Sequence, residues 1–297
     1  MNDSARSVPH QVDALALQHQ LSRLARRDAA PWLHAEVARR MAERLDFIKL
    51  KPSDYLDWAP GLGDSQAALA AAYPEARAWW LEPTPALRER AAARLHQPWW
   101  KKMLGGARPQ LAQGGEPVQM LWANMALHAA PDKPDLLKTW HQLLAVDGFL
   151  MFSCLGPDSF VELVRLYEAE GWGRPLPAWV DMHDLGDMMV EAGFADPVMD
   201  QERLRLTWAD PAKLLADLHA LGGNVAPGRF AGLRTPRWRD RLLVALDGMR
   251  GPDGLIALSV ELVYGHAFKP VPRPRMSGET RVSLDDMRSM VRRPGKD

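Results

Sequence analysis

With 297 residues, 47% of them apolar, the chain is long enough for one large domain, or a domain with a substantial insertion, around a buried core. Lysine plus arginine number 37 and aspartate plus glutamate 37, which excludes the overall positive field that non-specific nucleic-acid binding requires. No apolar run approaches the roughly 18 residues of a membrane-crossing helix, and Met1-Asn2-Asp3-Ser4 does not begin a charged-then-apolar signal segment, so a cytoplasmic protein without membrane insertion is expected. The single cysteine, Cys154, cannot form an internal disulfide and sits in an apolar run, as an inert core thiol does. The tryptophans, with adjacent pairs at 79–80 and 99–100, read as core and edge packing.

In chain order, residues 1 to about 10 look loose. Leu17, Leu21 and Leu24, then Leu33, Val37, Met41 and Leu45, recur at helical spacing and predict two amphipathic helices before any strand. The arginines among them, Arg23, Arg26, Arg27, Arg39, Arg40 and Arg44, read as a solvated face, or as a cationic lip suited to an acidic substrate.

Lys51-Pro52-Ser53-Asp54 ends the second helix. The stretch Tyr55-Leu56-Asp57-Trp58-Ala59-Pro60-Gly61-Leu62-Gly63 follows, and some twenty residues later Trp79-Trp80-Leu81-Glu82-Pro83 answers it. An apolar run ending in an acid, a turn through small residues into a helix, and a second strand ending in Glu82 together form a nucleoside cradle. Gly61 and Gly63 let a ligand lie against backbone N–H groups, and Glu82 offers two acceptor oxygens to a ribose diol.

Residues 64–72 predict a helix with a cap at its start, and Pro85 to Leu95 another. Periodicity is lost from Gln97 to Pro117. Val118 to Asn124 reads as a strand, Pro134 to Ala145 as a helix, Asp147-Gly148 as a turn, and Phe149 to Leu155 as a strand buried on both faces. Strands and helices thus alternate from 55 to 155, which predicts an α/β fold with a parallel sheet and right-handed crossovers.

Helices are then predicted at 160–168, 181–192, 210–221 and 237–249, with alternating strands at 204–208 and 255–264. Residues 209–254 therefore read as a helical insertion between two late strands, a placement that usually covers a pocket. The basic, proline-containing tail from 269 reads as a mobile surface segment. There is no Cys/His cluster at metal spacing, no phosphate-binding Walker loop and no Gly-x-Ser-x-Gly elbow, so no metal is expected.

Leu56-Asp57-Trp58-Ala59-Pro60-Gly61-Leu62-Gly63 resembles the first motif of the class I S-adenosylmethionine-dependent methyltransferases, L-D-x-G-x-G-x-G, and Glu82 falls on their ribose-binding acid. Leu121-Trp122-Ala123-Asn124-Met125-Ala126-Leu127-His128 resembles the W-S-N-L-A-L-H-W motif of one branch. Leu143 to Leu150, Asp184 to Phe194 and Val260 to Tyr264 extend the likeness over roughly residues 33–268. That branch holds the BioC-like enzymes, which methylate the free carboxyl of a malonyl thioester on acyl carrier protein in biotin synthesis. It also holds a complex I assembly factor that hydroxylates arginine.

The resemblance implies a doubly wound, mostly parallel seven-stranded sheet. It implies a helical extension over 1–50, a methyltransferase domain over 51–268 whose insertion 209–254 could close as a lid, and a tail over 269–297. It also implies S-adenosyl-L-methionine as cofactor, held by Asp57, Ala59, Pro60, Gly61, Gly63, Glu82 and Asn124, and malonyl-acyl carrier protein as partner. The chain departs from the pattern at Ala59, in place of the first glycine, and at Gln119, where an aspartate is usual. Only Glu116 is acidic where the adenine-binding aspartate belongs, and the aromatic and basic amino-terminal motif is not evident.

A carboxylate acceptor needs no general base, so positioning carries the chemistry. His128 is a candidate to orient the acceptor, and Arg203, Arg205 and Arg229 are candidates to pair with a substrate carboxylate or carrier phosphate. Two other readings stay open: a binding or assembly protein with a weakened cofactor loop, and a protein-modifying hydroxylase.

Overall fold

The structure, a computed structural model, describes residues 12–95, 109–112, 117–230 and 232–272. The expectations for residues 1–10, for most of 97–117 with Trp99, Trp100 and Glu116, and for the tail beyond 272 lie outside the described residues.

Two helices, α1 (Ala14–Ala25) and α2 (Trp32–Glu43), precede the sheet, as the leucine spacing predicts. Then come β1 (Asp54–Trp58), the one-turn α3 (Pro60–Gly63), α4 (Gln66–Ala72), β2 (Arg77–Leu81), α5 (Pro85–Leu95), the two-residue β3 (Gln110–Leu111) and β4 (Val118–Ala123). The second half runs α6 (Lys133–Leu143), β5 (Leu144–Leu155), α7 (Val161–Ala169), α8 (Met182–Glu191), β6 (Ala195–Trp208), α9 (Pro211–Leu221), α10 (Pro236–Asp247) and β7 (Ile256–Phe268). Among the described residues no helix is long and apolar enough to cross a membrane.

The seven strands form one sheet in the order β3-β2-β1-β4-β5-β7-β6. The first five are mutually parallel, and β7 runs antiparallel to both β5 and β6. The order reverses between β1 and β4, and the crevice beyond the carboxyl ends of those two strands is where such a sheet binds a ligand. Side-chain alternation feeds two cores. Met120 and Trp122 join Leu33, Val37 and Met41 of α2, Leu69 of α4, Leu214 of α9 and Leu242 of α10 on one face. Leu121 and Ala123 join Leu137 and Trp140 of α6 and Leu185 and Met189 of α8 on the other.

The helix starts follow local chemistry. Asp210 accepts from the amides of Ala212 and Lys213, with Pro211 at the first helical position, and Thr235 accepts from Trp238 ahead of Pro236. Two expectations need correction. Asp64 does not cap the helix at 66: it lies in the left-handed region at φ 54°, and Ser65 makes no capping bond. Asp147-Gly148 is not a turn before a strand but a bulge inside β5. Val118 faces Leu144 and Met120 faces Phe149, so five steps of β5 oppose two of β4, with Asp147 at φ 61°.

The turn from β1 into α3 is made by Ala59, at φ 57° and ψ 48°, a conformation that costs an L-residue with a Cβ about 1–2 kcal/mol. Ala59→Gly is therefore expected to leave stability unchanged or raise it by up to about 1 kcal/mol, and Ala59→Val to lower it by at least about 1 kcal/mol. Urea unfolding of the three proteins checks this. Gly265 of β7 faces Phe152 of β5, and a Cβ there would lie 2.1 Å from the Phe152 ring. Gly265→Ala should cost about 1–3 kcal/mol by overpacking, read in the same unfolding experiment.

Candidate cofactor and acceptor site

The bend after β1 is stitched to the end of β2. Ala59 N–H donates to the Leu81 carbonyl at 2.8 Å, and Gly61 N–H donates to Glu82 Oε1 at 2.7 Å. A Cβ on Gly61 would stand 2.7 Å from that same oxygen, so only glycine permits the approach. Glu82 is 4% exposed and its Oε2 has no partner among the described residues. Burial pushes its carboxyl up to about 7, against the opposing pull of the Gly61 amide and of Arg90 and Arg94. Asp57 is fully buried, and neither of its oxygens has a partner among the described residues. Burial first, then the charges of Glu82 and Asp64, raise its carboxyl well above the usual range.

Three unpartnered acidic oxygens around a glycine bend are acceptors awaiting donors. A ribose diol and a cationic amino-acid portion carry such donors, so these residues fit S-adenosyl-L-methionine.

Beneath the bend lies a buried polar network that sequence reading finds only in part. Asn124 Nδ2 donates to the carbonyls of Gly63 at 2.6 Å and His34 at 2.8 Å, and its Oδ1 accepts from Ser153 Oγ at 2.7 Å. Ser153 Oγ in turn accepts from Met125 N at 3.0 Å. His34 Nδ1 lies 2.8 Å from the Leu62 carbonyl, and Trp122 Nε1 donates to Ser65 Oγ at 2.7 Å. Asn124 thus holds Gly63 in place, and a direct contact of its side chain with a ligand would cost those bonds. His34, Ser65 and Ser153 carry no motif that marks them in the sequence. The signal available was Ser153 itself, a hydroxyl in a strand buried on both faces.

Next to the bend opens a cavity of about 860 Å³. Leu33 and His34 of α2 and Met125 after β4 form one wall, while Leu215, Phe230 and Trp238, from residues 209–254, form another. His128 lines it with its ring edge-on to Trp179, centroids 6.5 Å apart. Burial, and then the neighbouring His34 and Lys133, push its imidazole down to about 3, so it is neutral.

Of the three expected arginines, only Arg229 reaches the cavity, where it pairs with Asp13 at 2.6 Å. Arg203 and Arg205 do not. They lie on the solvent face of the alternating β6, exposed and paired with Asp158 and Asp253. The amino-terminal arginines lie as the solvated-face reading expects, with Arg23, Arg26, Arg27 and Arg39 exposed, and two of them also reach a neighbouring helix end. Arg23 donates to the Gly222 carbonyl at 2.7 Å, and Arg27 to Ala220 and His219 at 3.2 and 3.3 Å, closing the end of α9.

No family model matches the chain. The malonyl-[acyl-carrier protein] O-methyltransferase of Gallionella capsiferriformans is 38% identical over 277 residues, covering 90% of this chain and 94% of that protein. Its namesake from Laribacter hongkongensis is 36% identical over 273 residues, covering 89% and 90%. Among solved structures, the Bacillus subtilis YcgJ protein superposes with a TM-score of 0.52 at 12% identity, over 78% of this chain and 98% of that one. The Bacillus halodurans BH2331 chain gives 0.52 at 15% identity, over 78% and 99%. These two share the fold. The chain belongs to the family of malonyl-[acyl-carrier protein] O-methyltransferases, and is an S-adenosylmethionine-dependent methyltransferase of the class I fold.

Proposed function

We propose that this enzyme methylates the free carboxylate of a malonyl thioester carried on acyl carrier protein, a step of biotin synthesis. The observation that carries the reading is the junction of two spaces. The acid-lined bend of Asp57, Gly61 and Glu82 shares the buried Gly63, Asn124 and His34 network with a large apolar cavity. Nothing in the relatives favours the hydroxylase or assembly-protein alternatives.

When bound, S-adenosylmethionine supplies an electrophilic methyl group on a sulfonium. Glu82 Oε2 and Asp57 would take the ribose hydroxyls and the positive charge, with Gly61, Gly63, Ala59 and Pro60 shaping the floor. The acceptor carboxylate is already an anion, so the side chains need only exclude water and aim it. Neutral His128 offers a ring N–H to one carboxylate oxygen and carries no charge that would hold the anion back. Residues 209–254 cover the acceptor side of the catalytic domain.

Incubation with malonyl carrier protein and labelled S-adenosylmethionine should give a base-labile methyl ester. Ester formation on other carboxylates, but none on the malonyl group, would overturn the acceptor. Gly61→Ala, with its methyl 2.7 Å from Glu82 Oε1, should weaken S-adenosylhomocysteine binding at least about 100-fold, the scale of one lost buried charged contact. Calorimetry reads that loss, and circular dichroism confirms that the variant folds.

The raised Glu82 carboxyl gives a pH signature. In the ligand-free protein it holds a proton up to about pH 7 against an ordinary 4.5. Its contribution to stability is therefore fully present below pH 4.5 and lost as pH rises through 7. Ribose hydroxyls donate to the ionised form, so S-adenosylhomocysteine affinity should fall by up to about tenfold per pH unit below 7. Glu82→Gln should flatten that slope, as calorimetry between pH 5.5 and 8 would show.

A further inference from the structure

The acceptor cavity carries charges that methyl transfer does not use. Arg174, Arg229, Arg234 and Arg239 line it, and among its described lining residues there is no aspartate or glutamate. Arg229 is committed to Asp13. Arg234 donates to the Trp172 carbonyl at 2.6 Å and lies over the rings of Phe230 and Trp238 at 3.9 and 4.4 Å. Arg174 and Arg239 are exposed at the rim, and neither pairs with a carboxylate among the described residues. The rim is built to hold Arg174. Asn224 Nδ2 donates to its carbonyl at 2.6 Å, and its Cδ lies 3.8 Å from where a Cβ on Gly228 would stand.

Unpaired guanidiniums at the edge of an aromatic chamber suit a ligand with a doubly hydrogen-bonding anion at one point and a long uncharged body beyond it. The carboxylate that accepts the methyl is a poor match, since a guanidinium on it would stabilise the ground state and quench the nucleophile. Resting on the proposed acceptor, we infer that Arg174 and Arg239, beside the stacked Arg234, bind the phosphodiester of the phosphopantetheine arm that carries the malonyl group. The uncharged body of the arm then runs along Trp172, Trp238 and Trp179, and the thioester end reaches Met125 and His128 beside the bend.

The test compares phosphopantetheine with pantetheine by calorimetry on the full chain saturated with S-adenosylhomocysteine. Phosphopantetheine should bind at least about tenfold tighter, the size of one charged hydrogen bond. The double variant Arg174→Ala/Arg239→Ala should lose that preference while leaving affinity for pantetheine and for S-adenosylhomocysteine unchanged, which also shows that it folds. Equal binding of the two compounds to the parent protein, or a preference that survives in the variant, overturns the inference. So does a rise in KM for malonyl carrier protein alone, with the phosphate preference intact, because the arginines would then meet carboxylates on the carrier's surface. An arginine-dependent phosphate preference in a protein that forms no malonyl methyl ester would support the anion site and overturn the proposed acceptor instead.

Discussion

The hydrogen bond from Gly61 N–H to Glu82 Oε1 is the constraint on which the site depends. It joins the ends of β1 and β2, fixes the direction of the one-turn helix that follows, and places a second acid within electrostatic reach of Asp57. The arrangement is costly in isolation. Two buried carboxyls with three oxygens lacking partners among the described residues oppose folding, because desolvation disfavours their charged forms and the charge of Glu82 raises Asp57 further. Structures keep such arrangements where a ligand relieves them. Ala59 adds to the cost by holding a left-handed conformation with a Cβ, so the bend carries backbone strain as well as buried charge.

The two spaces of the site are tied together by α1. Its Arg23, with Arg27 just past its end, closes the carbonyl end of α9, and its capping residue Asp13 donates its N–H to the Val225 carbonyl at 2.8 Å while the Asp13 carboxylate holds Arg229. From the other side, Arg90 of α5 donates to the Leu24 and Asp28 carbonyls, and Arg94 to Asp28. Arg90 and Arg94 are also the cations that pull on Glu82. One amphipathic helix thus connects the helix that follows Glu82 to the helices that line the cavity. Displacement of α1 would disturb both.

The parts of this architecture that sequence reveals are those set by local chemistry. An apolar run closing on Asp57, two glycines, and Glu82 at the next strand end suffice for the cradle. The strand and helix alternation from 55 to 155 suffices for the parallel half of the sheet. What stayed hidden depends on distant pairs. His34 is an ordinary helical residue until the fold brings it to the Leu62 carbonyl, and Ser153 is a stray hydroxyl until Asn124 arrives 29 residues away. Arg203 and Arg205 show the converse. Their charge suggested a substrate, but strand alternation turned them to solvent, where Asp158 and Asp253 meet them. Asp147-Gly148 carried a turn signature, yet pairing with β4 on one side and Lys269 on the other kept the chain in the sheet as a bulge.

The distribution of charge across the acceptor cavity follows from the proposed reaction. Transfer between an anionic carboxylate and a cationic donor neutralises both, so the transition state carries less charge than the reactants. A poorly solvating environment raises the reactants more than the transition state. The wall beside the bend meets that requirement with Leu33, Met125, Leu155 and the neutral His128. A guanidinium placed there would stabilise the carboxylate and reverse the benefit. The arginines that the cavity does contain come instead from the 172–177 segment and from residues 224–239, and the elements that carry the bend contribute none. Binding energy gathered at the rim can thus be spent on bringing an anion into an apolar wall without lowering that anion's reactivity.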